Sequence, residues 1–69
     1  MMVEVTHRPQ RVTDLPLGVA VSSVHYDIQY DDMPKMKLNE TCVFFPNGHS
    51  EVRGTYDDHD KIVAELMHA

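Results

Sequence analysis

Five histidines and eleven acidic residues in a chain of 69 are the groups that could hold a metal or move a proton. The densest arrangement is the run Asp57-Asp58-His59-Asp60, followed by His25-x-Asp27, with His49 and His68 standing apart. Such oxygen and nitrogen donors suit divalent cations. No two histidines stand at i and i+4, however, and with one cysteine no paired-cysteine spacing exists, so the ligand geometry that marks a metal motif is missing. The acidic run reads instead as the start of a helix, with His59 bordering its apolar stripe. Neither a metal nor a cofactor is expected.

Two further pairings would do chemistry if brought together. Cys42 and His49 would make a nucleophile and its base, and Asp27 with Asp57 or Asp58 an acid and base pair. In a strand register that sets Cys42 opposite Val52, Cys42 points into the core, away from a histidine at the hairpin tip, and behaves as a small hydrophobe. One sheet with one helix seldom encloses a pocket unless protomers combine. Very small tautomerases combine in this way around an N-terminal proline, whereas residue 2 here is methionine. No enzyme is expected.

The elements that must position these groups are few. Residues 1–69 read as a single domain of 42% hydrophobic and 25% charged residues, small enough that about 60% of the unfolded surface is all that folding buries. A lone cysteine excludes an internal disulfide and suits a reducing compartment. The start, Met1 to Arg11, carries no signal-like apolar run and nothing elsewhere approaches a membrane span, so a cytoplasmic protein is expected. A formal charge of −5 repels phosphate backbones, which makes nucleic acid an unfavoured partner.

Residues 1–17 form an arm or edge strand with a loop: Met2 to Thr6 alternates weakly, Arg8-Pro9 limits it, and Asp14-Leu15-Pro16-Leu17-Gly18 has turn chemistry. The clearest strand is Val19 to Tyr30, where Val24, Tyr26, Ile28 and Tyr30 alternate with His25, Asp27 and Gln29. Val19 and Val21 lie on the opposite phase, which predicts a bulge at Ser22-Ser23 or cover on both faces there. Met36 to Phe45 and Ser50 to Tyr56 are two more strands, joined by a hairpin at Pro46-Asn47-Gly48. A three-residue loop with a glycine bulge sets Phe44 against Ser50, Cys42 against Val52 and Leu38 against Tyr56, and gathers more apolar surface on one side than the two-residue alternative. The helix occupies Asp57 to Ala69: Asp57 or Asp58 accepts from first-turn amides, and Ile62, Val63, Leu66 and Met67 line one face with His59.

The fold expected is α+β: a small two-layer domain in which the sheet of residues 18–56 has three antiparallel strands, with a possible fourth at the N-terminal edge, and the helix 57–69 packs on one face. The helix is expected on the face of Val24, Tyr26, Ile28, Leu38, Cys42, Phe44, Val52 and Tyr56. That leaves Val43 and Phe45 on the open face, amid Lys37, Glu40, Glu51, Arg53 and Thr55. The β-β-β-α order over residues 19 to 69 resembles small sheet-based DNA-binding modules, among them the arm-binding domains of phage integrases, and double-stranded-RNA-binding folds. No motif residue accompanies that resemblance, and a basic stripe is absent.

What remains is a non-enzymatic protein-protein interaction module. The residues expected to meet a partner are Val43, Phe45 and Arg53 on the open face and the acidic rim of Asp27, Asp31, Asp32, Asp57 and Asp58. Small phage- or mobile-element-type inhibitors of host or defence proteins, anti-CRISPR proteins included, belong to this class. The partner is expected to be a protein, with a homodimer as one form. The alternatives are a β-sheet nucleic-acid binder and an acidic nucleic-acid mimic.

Overall fold

The computed structural model describes the backbone of residues 2–68 and the side chains of residues 5–68. Four strands, β1 (Met2–Asp14), β2 (Ala20–Tyr30), β3 (Met36–Phe44) and β4 (Ser50–Gly54), form one antiparallel sheet in the order β1-β2-β3-β4. A short 3-10 turn at Tyr56–Asp58 leads into the helix α1 (His59–Met67), so the α+β architecture is as expected and the fourth strand is present.

The N-terminal strand is far longer than the sequence suggested, because the sheet accommodates Pro9 in place of ending there. Pairing runs to Arg8–His25, breaks, and resumes at Arg11–Ser23, so β1 spends three residues where β2 spends two. β1 is an edge strand and the irregularity falls at the proline, the two settings in which a missing amide does least harm. The extra residue also turns Arg8 and Arg11, which regular alternation would set on opposite faces, to the same side of the sheet.

The hairpin follows the expected loop. Phe45 donates its amide to His49 at 2.8 Å, Gly48 donates to Phe45 at 3.1 Å, and Gly48 takes the positive φ of 88° that the bulge requires. Phe44 then faces Ser50 and Cys42 faces Val52. Leu38 and Tyr56 do not pair. Register shifts after Cys42, Thr41 faces Gly54 and β4 stops, while the Tyr56 amide bonds the Asn39 side chain at 2.8 Å.

The face on which α1 sits is the opposite of the one expected. β2 and β3 pair without interruption from Ala20–Phe44 to Ile28–Met36, so Ser22-Ser23 holds no bulge in that ladder and parity fixes two faces. Val21 and Val43, each 0% exposed, pack with Ile62 of α1 on one, flanked by Leu15, Val19, Phe45, Val63 and Leu66. Val43 and Phe45 therefore belong to the covered face. The other face keeps Val24, Tyr26, Ile28, Leu38, Cys42, Phe44 and Val52, and among the described residues nothing covers it.

The reason is polar. His59 lies on the apolar stripe of α1 and is fully buried, so both ring nitrogens need partners away from water. The covered face supplies hydroxyls in the right rows at Thr13, Ser23 and Thr41. The row beside them on the apolar face, Val12, Ser22 and Cys42, has one hydroxyl, which already accepts from Gln10 at 3.0 Å, and so offers no pair of hydroxyls for the two ring nitrogens. Counting apolar residues misplaced the helix because one buried histidine outweighs a few half-covered methyl groups.

Candidate functional site

At the centre of the covered face lies a chain of hydrogen bonds that no spacing of residues announces. Thr41 Oγ1 donates to the Thr55 carbonyl at 2.7 Å and touches Ser23 Oγ. Ser23 Oγ also meets His59 Nδ1, and Thr13 Oγ1 meets His59 Nε2 at 2.8 Å. A hydroxyl has one proton, so the directions follow from the carbonyl end. Thr41 gives its proton to Thr55, Ser23 gives to Thr41, and Nδ1–H gives to Ser23. In a neutral ring of this tautomer Nε2 accepts from Thr13. Burial, assisted by the Arg11 guanidinium and opposed by Asp60, holds His59 below its ordinary pKa.

A serine beside a histidine invites comparison with a nucleophile and its base. Here Ser23, Thr41 and His59 are all 0% exposed, and the Ser23 proton is committed to Thr41. No substrate reaches Oγ in this fold. The contact joins sheet and helix.

Ion pairs reinforce the same junction. Arg8 reaches Asp57 at 2.9 Å and lies over the Tyr56 ring at 4.1 Å, while the Tyr56 hydroxyl donates to the Pro9 carbonyl. Arg11 pairs with Asp60 at 2.7 Å. The Asp58 carboxylate does not cap the first turn of α1 in the expected manner; it reaches back to the Thr55 amide at 2.8 Å and hydroxyl at 3.0 Å, which pulls it below the usual carboxylate range. His25, in the row between Arg8 and Asn39, stacks obliquely near Tyr56 with its Nδ1 out of water and without a hydrogen-bond partner.

The acidic rim is consequently not one surface. Asp57 and Asp58 are engaged at the helix start, Asp27 pairs with Lys35 at 3.2 Å, and Asp31 and Asp32 sit in the β2–β3 turn. From the His25 row beside the helix start, that turn lies six residues along the strand, about 20 Å at 3.4 Å per residue. Arg53 also has a partner within the fold: it pairs with Glu51, lowering that carboxylate's pKa, and its guanidinium lies 5.9 Å from the Phe45 ring. Among the described residues no group of His, Cys, Asp and Glu gathers as metal ligands would.

Two apolar surfaces remain. A shallow cleft of about 270 Å³ lies between the β1–β2 connection and the end of α1, lined by Leu15, Pro16, Leu17, Val19, Leu66 and Met67. Leu17 there is 91% exposed and holds φ at 67°, a left-handed conformation unusual for a branched side chain.

The larger surface is the bare sheet face. Register places Val5 beside Ile28 and Met36, Tyr26 beside Leu38, Val12 in the row of Ser22, Cys42 and Val52, and Phe44 beside Ala20. Phe44 is 46% exposed and Val52 60%, with Val5, Val12 and Met36 also open to water. No lysine or arginine of the described strands lies on this face: Lys37 and Arg53 belong to the other, as does Glu51. Glu40 is here, and its carboxylate accepts from the Cys42 thiol at 3.6 Å. Burial, then Glu40, raises the Cys42 pKa, so the thiol stays protonated and far from His49 chemistry.

Compared with protein-family models, curated proteins and solved structures, the chain finds no match in any of the three.

Proposed function

We propose that this chain is a non-enzymatic protein-interaction module whose working surface is the bare apolar face of the sheet. The observation that carries the reading is the row structure of that face: Val5, Val12, Met36, Phe44 and Val52 stand open around half-buried Tyr26, Ile28 and Leu38, with His7 beside Tyr26 and no lysine or arginine among them. Contiguous apolar surface of this extent costs free energy in water, about 25 cal/mol for each Å² left uncovered. Exposed patches of this size mark binding surfaces. Val43, Phe45 and Arg53, placed at the interface by sequence, support the fold instead, and the surface passes to Phe44 and Val52.

An inhibitor of the anti-CRISPR type is one member of this class and would act through the same face. A phosphate-binding sheet would need a cluster of lysine and arginine there, and this face carries His7 alone, so a protein surface is the better fit.

The test is site-specific crosslinking in the native cell. A photoreactive residue at position 44 is expected to capture a defined protein, and one at the exposed helix position Glu65 is not. Capture from position 65 with none from 44 would move the working surface to the helix side and overturn the proposal. In the purified protein, Val43→Asp is expected to unfold the chain, whereas Phe44→Asp keeps its secondary structure and loses the captured partner.

A further inference from the structure

The bare face has an occupant that the chain itself supplies. We infer that a second copy of this chain covers it, sheet against sheet about a two-fold axis; this rests on the reading of that face as a binding surface.

The first argument is size. The chain exposes 4916 Å², whereas a folded monomer of 7.9 kDa exposes about 4,400 Å². Its radius of gyration is 14.5 Å, against about 11 Å for a compact domain of this length. Among the described residues the buried apolar side chains are Val21, Val43, Tyr56 and Ile62, a thin core with no disulfide to support it. Chains this small draw on staples, metals or self-association. A partner that supplements a thin core serves best when present wherever the chain is made, and a second copy meets that condition by construction.

The second argument is area. With strands about 4.8 Å apart and a rise of about 3.4 Å per residue, the face from Val5 and Met36 to Phe44 and Val52 covers roughly 600 Å² per copy. Two such faces bury about 1,200 Å², at the threshold of specific interfaces.

Charge and edges then favour stacking of faces. A net charge of −5 per copy opposes self-association, but Arg8, Arg11, Asp27, Lys37, Glu51 and Arg53 all lie on the helix side, away from the contact. His7 stands beside Tyr26 on the bare face, Asp14 near one of its ends, and Glu40 is the carboxylate nearest its middle. Joining edges would serve poorly, because β1 is interrupted at Pro9 and β4 is five residues long. Two sheets about 10 Å apart would interleave Phe44, Tyr26 and Ile28 with their symmetry mates.

Cys42 lies on this face and is a built-in reporter. Light scattering on the full chain is expected to give twice the monomer mass. The rate of Cys42 modification by a disulfide reagent, measured from about 1 µM to about 200 µM protein, is expected to fall at least tenfold as dimer forms. Val12→Thr and Val52→Thr, which keep the β-branched shape, should weaken association at least tenfold. Their folding is checked by circular dichroism, and should either unfold, the wild-type Cys42 rate still decides. A monomer throughout, with a constant Cys42 rate, overturns the second copy while leaving the face to another protein captured from position 44. A dimer whose Cys42 reacts as fast as in the monomer associates by a different surface and overturns the second copy on this face, and capture of another protein from position 44 then still decides the reading of the face.

Discussion

With no part of its ring open to water, His59 must find both hydrogen-bond partners inside the protein, and Thr13 and Ser23 provide them. Its pKa is lowered in the fold, so on acidification the unfolded chain takes up a proton before the folded one does. Stability contributed by the neutral ring is whole above about pH 6.5 and drains away as pH falls below it toward the folded-state value. Asp58 and Asp60, held below the usual range by Thr55 and Arg11, add a separate loss below about pH 4. Denaturant midpoints measured from pH 8 to 5 are expected to fall below about pH 6.5, and His59→Gln to flatten that limb while lowering stability at every pH. Ser23→Ala should cost about 1–3 kcal/mol, since it strands the Nδ1 proton and the Thr41 acceptor together. None of this was legible from the sequence beyond the position of His59 on the helical stripe. Thr13, Ser23 and Thr41 come from three different strands, and only the sheet register brings their hydroxyls to one ring.

At the scale of elements, local chemistry was read well wherever a short segment decided the outcome. Asn47-Gly48 fixed the hairpin, and alternation from Val24 to Tyr30 fixed the central strand. Reading failed where a distant partner decided. Pro9 did not end β1, because an edge strand tolerates a bulge whose carbonyl then receives the Tyr56 hydroxyl. Asp58 caps backward to Thr55, not forward into α1, and this depends on a close approach at the end of β4. A Cβ built on Gly54 would lie 2.6 Å from Asp58 Oδ2 and 3.1 Å from Asp58 Cβ. Gly54→Ala is therefore expected to push the start of α1 off the sheet, costing about 1–3 kcal/mol in thermal or chemical unfolding. Asp58→Asn in the Gly54→Ala background should add less than it does in the wild type, because the Thr55 contact is already lost.

Over the whole molecule, two faces of one sheet divide the work. One takes the helix through a buried histidine, three hydroxyls and two arginine-aspartate pairs, with Val21, Val43 and Ile62 as its apolar part. The other keeps the greater share of the aromatic and aliphatic side chains and stays bare. The α+β class and the existence of an open face could be read from strand and helix periodicity alone. Which face stays open could not, because the apolar count favoured one side and polar satisfaction the other. The described residues contain no helix long and apolar enough to cross a membrane.

The assignment of faces is tested most directly by nuclear Overhauser contacts of the Ile62 methyl groups. Cross-peaks from Ile62 to the methyls of Val21 and Val43, with the His59 ring close to Thr13 and Ser23, are the expected result. Cross-peaks from Ile62 to Val24, Phe44 and Val52 within the same chain would place the helix on the other face and contradict the account.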